Sequence, residues 1–229
     1  MFKTKKPELI GICGGSASGK TTISNNLKNY LEYAEQVSMD NYFINSDFSK
    51  SISREDFMRN HNFDTLDSFN VDLFIEHLKK LKNGEPINMP IYDYSTSTYT
   101  GTKKIYPGKY VLVDGIMLLA TEKLRNCFDL TIFVSCNHNI RYSRRLTRDT
   151  KERGADYELV KYQLDRYVME MHKIWIEPKR IFANIQVDNS DSKSIKNMEI
   201  FCDDLYKTIK RKLYEKNLLS GEILFDKMC

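Results

Sequence analysis

Gly14, four intervening residues and then Gly19-Lys20-Thr21 fit G-x-x-x-x-G-K-[ST] within GICGGSASGKTT, residues 11–22. Glycines at these places let a loop turn its backbone N–H groups inward around phosphate oxygens. A helix beginning at the loop adds the positive end of its dipole. Lys20 can reach the β- and γ-phosphates as a point charge, and the Thr21 hydroxyl can ligate Mg²⁺. Gly14, Gly15, Ser16, Ala17, Ser18, Gly19, Lys20, Thr21 and Thr22 are therefore expected to hold a nucleoside triphosphate. A dinucleotide loop wants G-x-G-x-x-G and no lysine. A guanine-reading Asn-Lys-x-Asp is absent from the sequence.

Phosphoryl transfer also needs metal-binding acids, mobile positive charge and an acceptor held in line. Asp114 ends the apolar run VLVD, where a carboxylate can hold Mg²⁺ directly or through one of its ligands; a turn acid before Gly115 is the plainer use. Asp40 ends QVSMD, about twenty residues past Lys20. Neighbouring strand ends of an open parallel sheet line one crevice, so Asp40 reads as a metal ligand or as the base for an incoming hydroxyl. A surface turn is its alternative. The run RYSRRLTRDTKERG carries Arg141, Arg144, Arg145, Arg148, Lys151 and Arg153. A solvated helix face is the usual fate of such a run, but its density predicts a lid over the triphosphate at 141–156.

The elements that must position these groups follow from periodicity. LIGIC (9–13) reads as a buried strand, and Ile23, Leu27 and Leu31 mark one stripe of the next helix. QVSMD (36–40) reads as a second strand. Residues 44–69 read as loop and short helix, and Val71, Phe74, Leu78 and Leu81 as one face of a helix over 71–82. Residues 83–109 hold three of the five prolines with much Ser, Thr and Tyr; they read as a β-excursion inserted into the domain. YVLVDG (110–115) and DLTIFVS (129–135) are near-continuous apolar runs, as in strands buried on both faces. Helices at about 139–153 and 156–173, a strand at 184–189 and a helix through Met198, Cys202, Leu205, Ile209 and Leu213 complete the chain. Strands alternating with helices predict an α/β fold with a parallel central sheet flanked by helices. Residues 1–229 read as a single domain.

The 229 residues carry a formal charge of +4, 41% hydrophobic and 29% charged residues. That charge is too mild for a nucleic-acid binder. No run approaches the roughly 18 apolar residues of a membrane span. Five irregularly spaced cysteines and no signal-like N-terminus predict reduced thiols in the cytoplasm. LLSGE (218–222) lies in the tail and reads as chance. Trp175 is expected in the core, and His61, His77 and His172 carry no assigned role.

Further motifs run in order through residues 8–210. SMDNYF (38–43) is similar to Ser-x-Asp-x-Phe-Tyr, NFDTLDSFN (62–70) to Asn-Phe-Asp-His-Pro-x-Ala-Phe-Asp, and PIYDYSTST (90–98) to Pro-x-Tyr-Asp-Phe. RRLTRDTKERG (144–154) is close to an arginine-rich lid, and HKIWIEPKRIFANIQV (172–187) to Glu-Pro-x-Lys-x-x-Ala-Asp. Together they resemble the uridine kinase family, within the group that includes phosphoribulokinase and bacterial pantothenate kinase. The resemblance implies a P-loop NTPase fold and MgATP-dependent phosphorylation of a pyrimidine nucleoside 5′-hydroxyl in pyrimidine salvage. It implies Asp40 as base, acting with Lys20 and Arg148. Asp64 and Arg145 would hold ribose hydroxyls, Phe63 and Tyr92 would flank the base, and Gln163 would lie on the nucleoside side. Arg148 and Arg153 would face the phosphates, 83–109 would be a hairpin closing over the nucleoside, and the chain would assemble as a dimer or tetramer.

Departures from the family cluster on the acceptor side. Ser97 stands for the usual pocket His, Tyr99 for an Arg two positions on, and Ala155 for an Arg after Glu-Arg-Gly. Phe43 replaces a Tyr near the substrate and Asn70 an Asp, while Asp114 replaces a Glu and keeps the charge. The sequence therefore leaves two alternatives open: a kinase for another nucleoside or hydroxylated metabolite, or a nucleotide-binding regulator that transfers nothing.

Overall fold

A computed structural model describes residues 6–45, 54–190 and 198–219. The phosphate-loop strand β1 (Glu8–Gly14) is the middle of a five-stranded sheet. The others are β2 (Ala34–Ser38), β5 (Tyr110–Gly115), β6 (Leu130–Ser135) and β7 (Ile185–Asp188), in the order β2-β5-β1-β6-β7. Every pairing is parallel. β1 and β5 are buried at every position, which is why both read as near-continuous apolar runs. Val111, Leu112 and Val113 are fully buried, each worth about 1.5–3 kcal/mol against exposure.

One face of the sheet is covered by α1 (Lys20–Leu27) and by α7, the C-terminal helix Met198–Leu219. Ile23 and Leu27 pack there with Cys202, Leu205 and Ile209. The other face is covered by α3 (Val71–Lys82) through Phe74, Leu78 and Leu81, joined by Met117, Leu118 and Phe133. Asn70 caps α3 by accepting the Leu73 N–H at 3.1 Å. That short polar cap is the local work of the Asn70 departure.

The excursion at 83–109 is an antiparallel hairpin, β3 (Ile87–Asp93) and β4 (Thr98–Ile105). Ile87, Met89, Tyr92 and Ile105 anchor it in the core, and its tip reaches Asp40. Three short helices complete the frame: α2 (Arg54–Asn60), α4 (Glu122–Arg125) and α5 (His138–Thr147). α6 (Tyr157–Gln163) is prolonged by wide turns at Leu164–Val168 and His172–Ile176.

Three expectations are corrected. β2 ends at Ser38, so Asp40 sits in the following 3₁₀ turn, Met39–Tyr42, and not in the strand. Trp175 is 49% exposed. The wide turn at His172–Ile176 rotates the helix register, sending Ile176 inward and Trp175 outward. Arg141 is 2% exposed, with its Nε donating to the Cys136 carbonyl at 3.2 Å, so it is a buried residue and not a lid cation. Of LLSGE, residues 220–222 lie outside the described residues.

Candidate active site

β1 delivers the chain to the loop, and α1 leaves it. Gly14 has φ 149°, and a Cβ there would sit 2.3 Å from the Val134 carbonyl oxygen. Gly19 has φ 97°, and its Cβ would meet Asn189 Nδ2 at 2.3 Å. That same amide donates to the Ser18 carbonyl at 2.8 Å, so the end of β7 pins the loop. α1 has no side-chain cap and no acid in its first turn. Its leading N–H groups are left for an anion.

Lys20 is buried, and its Nζ donates to the Gly15 carbonyl at 2.8 Å. Burial pushes its pKa down, and the nearby Asp40 and Asp114 charges pull it back up. The Thr21 hydroxyl donates to Asp114 Oδ2 at 2.9 Å. Burial, then repulsion from Asp40, raises the Asp114 carboxyl to about 6. Ser18 Oγ and Asp114 Oδ1 are buried with no protein partner. A glycine loop leading into an uncapped helix, an orphaned hydroxyl and an orphaned carboxylate oxygen fit a phosphate and its cation. Among the described residues no three His, Cys, Asp or Glu side chains converge to hold an ion unaided.

Beside the loop opens a cavity of about 880 Å³. Ser16, Asp40, Phe43, Phe63, Asp64, Tyr92, Ser97, Arg145, Arg148, Arg153 and Gln163 all line it. Phe43 stacks on Phe69 at 4.2 Å and packs against Tyr92 at 5.4 Å and Phe63 at 6.2 Å, forming an apolar wall. Asp64 is buried; burial raises its carboxyl and the Arg145 charge works against that. Gln163 ties α6 to the end of α2 through the Met58 and His61 carbonyls. Ser97 is buried at φ 57° in the hairpin turn. Tyr99 does not line the cavity; its ring packs on Tyr92 and its hydroxyl is buried without a partner.

Three residues that sequence reasoning missed organise this space. Asp149 is buried and pairs with Arg145, with Arg148 at 2.9 Å and with Arg153 at 3.3 Å. Burial alone would raise its carboxyl, but the three guanidinium groups hold it below the usual range. Arg145 also donates to Ser16 Oγ, linking the lid to the phosphate loop. Tyr94, at the aromatic position of Pro-x-Tyr-Asp-Phe, donates its hydroxyl to Asp40 Oδ2 at 3.0 Å. Burial and the Asp40 charge raise its pKa, so it stays protonated. Asn189 is the third. Alternating types along DNSD carry no signal that its amide crosses back to residue 18.

His172 and Arg141 lie behind the loop. A Cβ on Gly15 would come within 2.6 Å of both Arg141 Nη1 and His172 Nδ1, so a larger residue there would have to push these side chains aside. Burial, then the Arg141 and Lys20 charges, holds His172 down to about 3.

A sequence profile described as "Phosphoribulokinase / Uridine kinase family" matches residues 9–196. The chain belongs to the phosphoribulokinase/uridine kinase family. It is a P-loop kinase, a phosphotransferase. Curated relatives in this family include the uridine kinase of Anoxybacillus flavithermus, 37% identical over 182 residues, covering 79% of this chain and 85% of that one. The uridine kinase of Borrelia duttonii is 38% identical over 180 residues, covering 78% and 84%. The uridine kinase-like protein 5 of Arabidopsis thaliana is 31% identical over 218 residues, covering 93% of this chain and 45% of its own length. Among solved structures, phosphoribulokinase from Rhodobacter sphaeroides superposes with TM-score 0.61 at 13% identity, covering 81% of this chain and 71% of that one. This likeness concerns the fold alone.

Proposed function

We propose that this kinase transfers the γ-phosphoryl group of ATP to the 5′-hydroxyl of uridine or cytidine. The observation that carries the reading is the position of Asp40. Its carboxylate lies between the Lys20 loop and an aromatic-walled cavity lined by Asp64, Arg145 and Gln163. The names of the curated relatives point to the same acceptor.

In this mechanism the loop from Gly14 to Thr22 cradles the triphosphate through backbone N–H groups, and Lys20 leaves the Gly15 carbonyl for the β- and γ-oxygens. Thr21 and Asp114 would hold Mg²⁺, with Asp40 as a further ligand or as base, and the ion would supply charge neutralisation at the phosphates. Asp40 accepts the proton of the acceptor hydroxyl and orients its lone pair on the γ-phosphorus. Asp64 and Arg145 hold ribose hydroxyls, and Phe43, Phe63 and Tyr92 flank the base. Arg148 and Arg153, released from Asp149, neutralise charge on the moving phosphoryl group. Ser97 offers a hydroxyl where a cation is usual, so base recognition rests more on the aromatic wall.

Under the same proposal residues 1–229 form one kinase domain that works in the cytoplasm, in pyrimidine salvage, as a homo-oligomer. Cys13, Cys127, Cys136 and Cys202 are free thiols, as a reducing compartment would keep them. No helix among the described residues is long and apolar enough to cross a membrane. The test is transfer from MgATP to a panel of uridine, cytidine, purine nucleosides, pantothenate and ribulose 5-phosphate. Fast use of uridine or cytidine is expected, and a preference for any other acceptor would replace this reading.

A further inference from the structure

The Tyr94 hydroxyl does to Asp40 what an acceptor hydroxyl must do. It donates to Oδ2 at 3.0 Å. The ring that carries it is 36% exposed, at the tip of the β3–β4 hairpin. Asp93 stiffens that tip by accepting the Ser95 N–H and the Ser95 hydroxyl, both at 2.7 Å, so the tip can move as one piece. On the ring lies the Arg153 guanidinium, 3.9 Å from its centroid. Arg153 is a lid residue that also pairs with Asp149 at 3.3 Å. One side chain thus joins the hairpin, the carboxylate and the lid.

We propose that Tyr94 is an acceptor-site residue that guards Asp40, its hydroxyl occupying the place of the acceptor hydroxyl and keeping water off the carboxylate until an acceptor displaces it. The inference rests on the reading of Asp40 as base. A kinase whose base is open to solvent hydrolyses its donor. Water would donate a proton to Asp40 and its oxygen would bond the γ-phosphorus. The bond from that phosphorus to the β–γ bridging oxygen would break, releasing ADP and inorganic phosphate, and the proton would pass to solvent. A phenol fixed on Oδ2 occupies that position and cannot reach the phosphorus, because its ring is held by Arg153 and the hairpin. Arrival of the acceptor lifts the hydroxyl from Asp40 and the ring from Arg153. The base and a lid cation are then released by the same motion. Water is too small to displace the ring and gain compensating contacts in the aromatic cavity, so the device discriminates between acceptor and solvent.

Tyr94→Phe removes the hydroxyl and keeps the ring under Arg153. Phosphate release from MgATP with no nucleoside present should rise about tenfold, the scale of one hydrogen bond to a charged group. The KM for uridine should fall by a similar factor, with kcat not reduced. Adding Asp40→Asn to Tyr94→Phe should return phosphate release to the wild-type level or below. Unchanged phosphate release would overturn the proposal, whether kcat falls (Tyr94 then holds the base in place) or nothing changes. Release that persists in the double variant would overturn it as well. The hydrolysis assay contains no acceptor. A rise there, beside failure to phosphorylate any pyrimidine nucleoside, would keep the guard and remove the acceptor reading.

Discussion

Replacing Asp114 by Asn should make the metal-free protein more stable while abolishing transfer. The Asp114 carboxyl is 4% exposed, and burial with the Asp40 charge raises it from 3.8 to about 6. A raised acid binds its proton more tightly in the folded chain than in the unfolded one. Ionised Asp114 therefore costs stability above pH 6, about two units at 1.36 kcal/mol each, or roughly 3 kcal/mol. Asn carries no charge, and its oxygen can still accept the Thr21 hydroxyl now at 2.9 Å from Oδ2. For a chain of this length that difference is on the order of 5–10 °C in Tm. The assay is thermal unfolding in EDTA from pH 4 to pH 8, repeated with MgATP. The advantage of Asp114→Asn should be complete above pH 6, shrink as pH falls through 6, and vanish below 3.8. MgATP should raise the melting temperature of wild type more than that of the variant. A variant less stable than wild type at pH 8, or equally stabilised at pH 4, would refute the idea that buried charge is the cost.

Lys20→Ala should abolish transfer and weaken ATP binding, whereas Asp40→Asn should abolish transfer and largely spare ATP binding; nucleotide titration beside a rate assay separates them. Ser97→His should lower the KM for uridine, since His tolerates the positive φ of 57° at this position; an unchanged KM would mean the base does not approach the hairpin turn. His172 is held to about 3 in the fold, so the unfolded chain takes up a proton that the native chain refuses. Its share of stability is lost as pH falls below about 6.5, by about 2 kcal/mol between pH 7 and pH 5. Urea midpoints for His172→Gln should show a shallower loss over that range than wild type. Asp149→Asn should loosen all three lid arginines together, lowering kcat at least tenfold and also lowering the urea midpoint, because partly buried guanidinium charge is left unpaired.

The phosphate loop, the strands and the hairpin were legible because each is written in adjacent residues. Gly14 to Thr21 carries its own geometry, and β1 and β5 are largely apolar because both faces are covered. The Phe43, Phe63 and Tyr92 wall was reached through motif resemblance, which supplied positions and no contacts. What escaped depends on distant segments meeting. Asp149 reads as one acid in a basic helix until the lid folds over it. Tyr94 reads as a hairpin aromatic until its tip meets Asp40, 54 residues away. Trp175 and Arg141 were misjudged for related reasons: wide helical turns shift the register of the first, and the Cys136 carbonyl draws the second inward. Order along the chain sets Asp40 near Lys20, as the structure also does, although its turn carries it past the strand end.

The central claim is that Asp40 directs a nucleoside 5′-hydroxyl onto the γ-phosphorus. The most direct measurement follows the label from γ-labelled ATP in the presence of uridine, for wild type and Asp40→Asn. Label is expected on the 5′-oxygen of uridine monophosphate with wild type, and on no nucleoside with Asp40→Asn, which still binds ATP. Labelled uridine monophosphate formed at the wild-type rate by Asp40→Asn, or label appearing only as inorganic phosphate with wild type, would contradict it.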